Sequence, residues 1–141
     1  MKNYTSYESV VSEFPGAVQE NKFQHFWELV GNTPMLEIIY RYKKDCRRIF
    51  VKCEHYNLTG SIKDRMALYI LQKAYQNEQI KKADVIIEAT SGNTGISFSA
   101  IGRALGHDVK IIMPDWMSKE RIEIIKSLGA EVILVSKEAG G

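Results

Sequence analysis

VIIEATSGNTGISFSAIGRALGHDVKIIMP, residues 85–114, runs from an apolar segment through a turn and a helical stretch into a second apolar segment. VIIEA (85–89) reads as a continuous buried run, where a strand with one wet face would alternate. TSGNTG (90–95) is turn chemistry. Ile96, Phe98, Ile101, Ala104 and Leu105 then recur at helical spacing, and Gly106 supplies the left-handed residue that closes a helix. VKIIM (109–113) repeats the buried-strand pattern and breaks at Pro114. Two buried strands joined through a helix make a parallel pair with a crossover.

The alternation continues on both sides. Toward the C-terminus, Ser118 caps a predicted helix carrying Ile122, Ile125 and Leu128, Gly129 ends it, and VILV (132–135) follows as a strand. Toward the N-terminus, IFVKCE (49–54) is a β-branched and aromatic run, NLTGS is turn-rich, and Met66, Ala67, Ile70, Leu71 and Ala74 share one helical face. These segments predict an α/β fold with a parallel four-stranded sheet flanked by helices. Right-handed crossovers place loops 55–62, 90–94 and 114–118 together at the carboxyl edge, where open α/β sheets bind ligands. Further upstream, FQHFWELV (23–30) predicts a helical turn or two ending at Gly31, and MLEIIY (35–40) a strand. Residues 1 to about 22 read as an extension with at most one short helix, Pro15 and Gly16 acting as breakers.

Composition bounds the function. A chain of 141 residues with 45% hydrophobic and 26% charged residues has the balance of one soluble globular domain. A net charge of +2 with dispersed basic residues argues against a nucleic-acid surface; the cluster Lys43, Lys44, Arg47 and Arg48 flanks a predicted turn and reads as a solvated loop. No segment approaches the ~18 apolar residues of a membrane span. The opening MKNYTSYESVVSEF has no apolar signal region, so a cytoplasmic location is expected. Cys46 and Cys53 make neither a disulfide framework nor a CxxC pair, and Cys53 is expected as a buried thiol. His25, His55 and His107 lack metal-ligand spacing; each reads as a surface or loop residue, and no metal is expected.

Two loops carry chemistry. In Gly60-Ser61-Ile62-Lys63-Asp64-Arg65, Ser61 and Asp64 have capping-box spacing, which sets Lys63 in the first turn of a helix. A helix N-terminus is already partly positive, so a lysine there is disfavoured as a cation and favoured as an amine nucleophile. An ordinary surface lysine fits the same pattern. Thr90-Ser91-Gly92-Asn93-Thr94-Gly95 leads a buried strand into a helix and offers backbone N–H groups, hydroxyls and an amide, a ready site for a carboxylate or phosphate. A plain capped turn has the same composition. The third loop, Met113 to Ser118, reads as packing, and Glu88 at a buried strand end calls for partners.

Taken in order, LVGNTPML (29–36), NLTGSIKDRMA (57–67), EATSGNTG (88–95) and IIMPDWMSKERIEIIKSLGAEVILV (111–135) resemble the cysteine synthase and cystathionine β-synthase branch of fold-type II pyridoxal-phosphate enzymes. The resemblance covers about residues 28–136. It implies that 46–141 form the small domain, with the Schiff-base lysine and the substrate-carboxylate loop. Residues 1–45 would then be an extension plus a segment of the large domain. Lys63 matches the lysine that binds pyridoxal 5'-phosphate and moves the proton at the substrate α-carbon. Asn93 matches the asparagine that meets the cofactor's phenolic oxygen. Thr90, Ser91, Gly92, Asn93 and Thr94 match the loop that clasps the substrate α-carboxylate.

The implied reaction is β-replacement on an activated serine, O-acetylserine or similar, with sulfide to give L-cysteine. A relative making diaminopropionate or releasing sulfide from cysteine fits the same motifs. The implied partners are a small amino-acid substrate, a second copy in a full-length homodimer, and the tail of serine acetyltransferase. Leu58 stands where many relatives have proline. Relatives are about twice as long, and their phosphate-cupping glycine loop and the residue at the pyridine nitrogen fall in the later part. The expectation is therefore a truncated or partial chain that binds cofactor weakly or not at all on its own, with a non-catalytic peptide- or partner-binding module as the alternative. Such a half would expose apolar surface around Leu29–Tyr40 and associate.

Overall fold

The computed structural model describes residues 15–139 of the chain, with side chains described over 22–138. Helix α1 spans Pro15–Leu29. Pro15 and Gly16 were expected to break structure, but proline is well suited to the first helical turn, where its missing N–H has no partner to lose. What precedes Pro15 lies outside the described residues. Strands β1 (Met35–Tyr42) and β2 (Asp45–Lys52) follow, then helix α2 (Lys63–Gln76), β3 (Val85–Ala89), α3 (Asn93–Leu105), β4 (Asp108–Pro114), α4 (Lys119–Ser127) and β5 (Glu131–Val135).

The parallel sheet has three strands, in the order β3-β4-β5, and not four. The segment 49–54 was expected as its first strand. Instead β2 pairs antiparallel with β1 in a separate hairpin, from Met35↔Lys52 to Tyr42↔Asp45. A short apolar run looks alike in a buried parallel strand and in a hairpin arm. The distinguishing cue was the two-residue gap Lys43–Lys44, with Lys43 at a positive φ of 56°. The basic cluster does sit around that turn, where the Lys43 ammonium and the Arg47 guanidinium both lie over the Tyr42 ring.

The core lies between the parallel sheet and the helices on one of its faces. Ile86, Val109, Ile111 and Met113 point from the sheet into a cluster with Phe98, Ile101 and Leu105 of α3, Ile122 and Ile125 of α4, and Ala67, Leu68 and Leu71 of α2. Phe23 and Val30, on and just after α1, join the same cluster. Two glycines let α3 approach the strands. A Cβ on Gly95 would stand 2.9 Å from Thr90 Cγ2 and 3.1 Å from Ile111 Cγ2; one on Gly102 would stand 2.8 Å from Val109 Cγ2 and 2.9 Å from Ile86 Cδ1. Gly106 closes α3 at φ 95°, as its sequence position predicts. On the opposite sheet face Val85, Ile87 and Ile133 are exposed.

His107 lies in the short connection between α3 and β4, a loop residue as expected, yet it is fully buried and not at the surface. Its Nε2 lies 2.7 Å from the Tyr75 hydroxyl and its Nδ1 lies 2.8 Å from the carbonyl of Asp84. A polar ring buried with both nitrogens partnered costs little, and no sequence pattern announces it. Cys53 is buried and unpaired, as expected. Among the described residues no helix is long and apolar enough to cross a membrane, and no group of three or more His, Cys, Asp or Glu is placed to hold a metal ion.

Candidate active site

Lys63 is the first residue of α2 and is exposed. Among the described residues its ammonium makes no hydrogen bond or ion pair. Its backbone N–H donates to Ser61 Oγ at 3.1 Å, while Ile62, the residue directly before the helix, gives no side-chain cap. The expected capping box is not formed. Asp64 turns its carboxyl to Thr59, accepting from the Thr59 N–H at 2.7 Å and from the Thr59 hydroxyl at 2.5 Å.

The loop that delivers Lys63 is held by an ion-pair network absent from the sequence reading. Arg65 donates to Glu54 through Nε at 2.8 Å and through a terminal nitrogen at 3.0 Å, a two-point grip. Thr33 donates its hydroxyl to Glu54 at 2.9 Å and accepts from Arg65 at 3.1 Å and from Lys52 at 2.6 Å. The buried Asn57 side chain donates to the Glu54 carboxyl at 2.8 Å and accepts from the Gly31 N–H at 2.8 Å. Hydrogen bonds from Arg65 first, then Asn57, hold the Glu54 carboxyl down from 4.5 to about 2. The Arg65 guanidinium is pushed up by the same contact. Gly31 at φ 94° and Gly60 at φ 81° give the turns that bring these segments together.

The second loop leaves β3 at the carboxyl edge of the sheet. The Thr90 N–H extends the ladder by donating to the carbonyl of Ile112 at 2.9 Å. The residue before α3 is Gly92, in a conformation that gives the helix no side-chain cap, and a Cβ there would meet nothing within 4 Å. An uncapped first turn facing open space is what an anion at a helix N-terminus requires. Ser91 and Asn93 are exposed, while Thr90, Gly92 and Thr94 are half-buried. The Ser91 carbonyl accepts from Arg121 of α4 at 3.3 Å.

One contact draws the two loops together. The buried Ser97 hydroxyl, one turn into α3, donates to the Asp64 carboxyl at 2.6 Å and lies 2.9 Å from the carbonyl of Asn93. The turn that starts with Lys63 and the turn that starts with Asn93 are therefore neighbours. A cleft of about 380 Å³ opens along the carboxyl ends of the strands, lined by Ala89 of β3 with Thr90 and Ser91 after it, Ile112 to Pro114 of β4, and Val135 of β5. Of the nominated residues, Thr90 and Ser91 line this cleft; Lys63, Gly92, Asn93 and Thr94 do not.

Sequence reading missed Glu54, Arg65, Thr33, Asn57 and Ser97. Their partners lie between 3 and 33 residues away, and the Lys63-Asp64-Arg65 string hinted at only one of them, Arg65. Glu88 is half-buried at the end of β3. In the third loop, Met117 packs partly buried against the core, in keeping with a packing role.

The sequence profile described as "pyridoxal-phosphate dependent enzyme" matches residues 26–141. Among characterised proteins, cysteine synthase B of Salmonella typhimurium is 44% identical over 113 residues, which are 80% of this chain and 37% of that protein. Cysteine synthase of Flavobacterium is 40% identical over 84% of this chain and 38% of its own length. Among solved structures, a hydrogen sulfide-producing enzyme of Fusobacterium nucleatum superposes with a TM-score of 0.83 at 62% identity, covering 86% of this chain and 36% of that one. An O-ureido-L-serine synthase superposes at 0.75 and 32%, over 82% of this chain and 36% of its own. The chain thus spans little more than a third of the length of these relatives.

Proposed function

Because the chain belongs to the family of pyridoxal-phosphate dependent enzymes, we propose that it supplies the lysine and the carboxylate loop of a site for β-replacement on an activated serine, with sulfide as nucleophile and L-cysteine as product. The Asp64–Ser97 bond carries this reading, since it makes neighbours of the lysine turn and the uncapped turn of α3. The residues fit the aldehyde end of the cofactor: an unengaged amine at Lys63 and open space before Gly92. When bound, the cofactor supplies an electron sink for charge developing at the substrate α-carbon.

The chain's own residues do the rest. Lys63 would hold the cofactor through its amine and would serve as the group that takes and returns the proton at the substrate α-carbon. Backbone N–H groups at the start of α3, with the hydroxyls of Thr90, Ser91 and Thr94, bind the substrate carboxylate and fix its orientation. Asn93 would offer its amide to the cofactor's phenolic oxygen. The substrate is a small amino acid, and the working form is a homodimer in the cytoplasm. The carboxylate loop also suits the C-terminal tail of a serine acetyltransferase.

A second reading, release of sulfide from cysteine, is favoured by the 62% identity with the hydrogen sulfide-producing enzyme. Two measurements separate the cases. Pyridoxal phosphate added to the purified chain should give a visible absorption that Lys63→Ala removes; a band that survives the substitution sinks the lysine assignment. O-acetylserine with sulfide should then yield cysteine, and sulfide evolving instead from cysteine alone selects the second reading.

A further inference from the structure

Asp64 is fully buried beside an exposed lysine, and the reaction proposed above gives it no task. Its carboxyl has three donors: the Thr59 N–H on one oxygen, and the Thr59 and Ser97 hydroxyls on the other. Neither adjacent cation engages it, for Arg65 is committed to Glu54 and Lys63 lies in solvent. Asp64 therefore joins the loop before α2 to Ser97, one turn into α3. Ser97 continues the chain of contacts to the Asn93 carbonyl.

We infer that Asp64, acting through Thr59 and Ser97, is a positioning residue that sets the Lys63 turn against the substrate-carboxylate loop. The inference rests on the site reading given above. Buried polar contacts of this kind define one geometry, because a shift of either helix start strands a donor or an acceptor without water to replace it. Register between the two turns matters because reacting groups held even about 1 Å out of place lose roughly a hundredfold in rate. Carboxylate binding at the start of α3 and amine chemistry at the start of α2 are then coupled through one buried side chain.

The test uses variants of the whole chain that remove a hydroxyl without adding bulk. Ser97→Ala and Thr59→Val should each weaken Lys63-dependent binding of pyridoxal phosphate, by about tenfold and several-fold, while Thr59→Ser, which keeps the hydroxyl, should bind as the parent. A merely structural role would make the loss follow the fall in Tm whether or not the hydroxyl is kept. Binding by Ser97→Ala within twofold of the parent overturns the inference. A cofactor-free measurement runs beside it: in ¹⁵N spectra Ser97→Ala should shift the Lys63 amide as well as that of Asn93. A Lys63 amide that stays in place overturns the coupling. If the parent chain gives no Lys63-dependent absorption, the proposed function falls while the amide shifts still decide this inference.

Discussion

The hairpin β1–β2 and the block from α2 to β5 are built from similarly apolar strands yet end in opposite environments. Every residue of both hairpin strands is exposed. The register puts Leu36, Ile38, Tyr40, Ile49 and Val51 on one face, and Ile39 and Phe50 with the Arg48–Glu37 ion pair on the other. In β4, by contrast, Val109, Ile111 and Met113 are at most 2% exposed beneath the helices. Sequence hydrophobicity sets what a strand is able to bury, and the neighbouring elements decide whether it does. A two-stranded ribbon has little stability of its own. This one is tied to the block chiefly through Thr33, Lys52, Glu54 and Arg65.

Substitutions should divide along the same line. Ile101→Ala, in a wholly buried position of α3, should cost about 2–5 kcal/mol in urea unfolding. Ile39→Ala, at a position 70% exposed, should change stability by no more than about 0.5 kcal/mol. Equal losses would erase the contrast. Next in size, Gly102→Ala should destabilise by roughly 1–3 kcal/mol, because its methyl would press on Val109 and Ile86. A neutral result would mean that α3 has room to move off the sheet.

The third test lies at the junction. Glu54 is held at about 2 against an ordinary 4.5, a depressed value. Its contribution is therefore complete above the unfolded value and is lost as pH falls from near 4.5 toward 2. Acid should loosen the hairpin's attachment before the block, read as earlier loss of hairpin amide signals, and Glu54→Gln should flatten that dependence. Simultaneous loss in both regions would show that the junction is not the weak link. The smallest effect on folding should come from Ile39→Lys with Phe50→Lys. Stability should barely change, while concentration-dependent light scattering falls, since these side chains share an exposed face.

Much of the block was legible because each element there carries its own signal. VIIEA, VKIIM and VILV read as strands and are strands, although the expected two-sided burial fails, with Val85, Ile87 and Ile133 exposed on the face that carries no helices; Gly106 and Gly129 mark helix ends with φ values of 95° and 83°. Lys63 and the Thr90–Thr94 turn were nominated from local strings, and the Asp64–Ser97 contact brings the starts of the two helices together. The hairpin was misassigned because strand pairing depends on a partner, and a run such as IFVKCE does not name its own. Ser97 went unnoticed because a serine within a helix reads as a solvent-facing residue. Only the approach of Asp64, 33 residues away, makes it a buried donor. His107 was hidden for the same reason: burial of a polar ring depends on Tyr75 and on a backbone carbonyl from another element.

Arg65 has a mechanical consequence. It stands two residues after Lys63, and its guanidinium grips Glu54 just past the end of β2. Force applied to the ribbon need not travel through the loop of residues 55–62, because the ion pair short-circuits that path. Whatever seizes the ribbon, a neighbouring subunit or a longer stretch of polypeptide, would hold a crank whose axle is the turn that presents the amine.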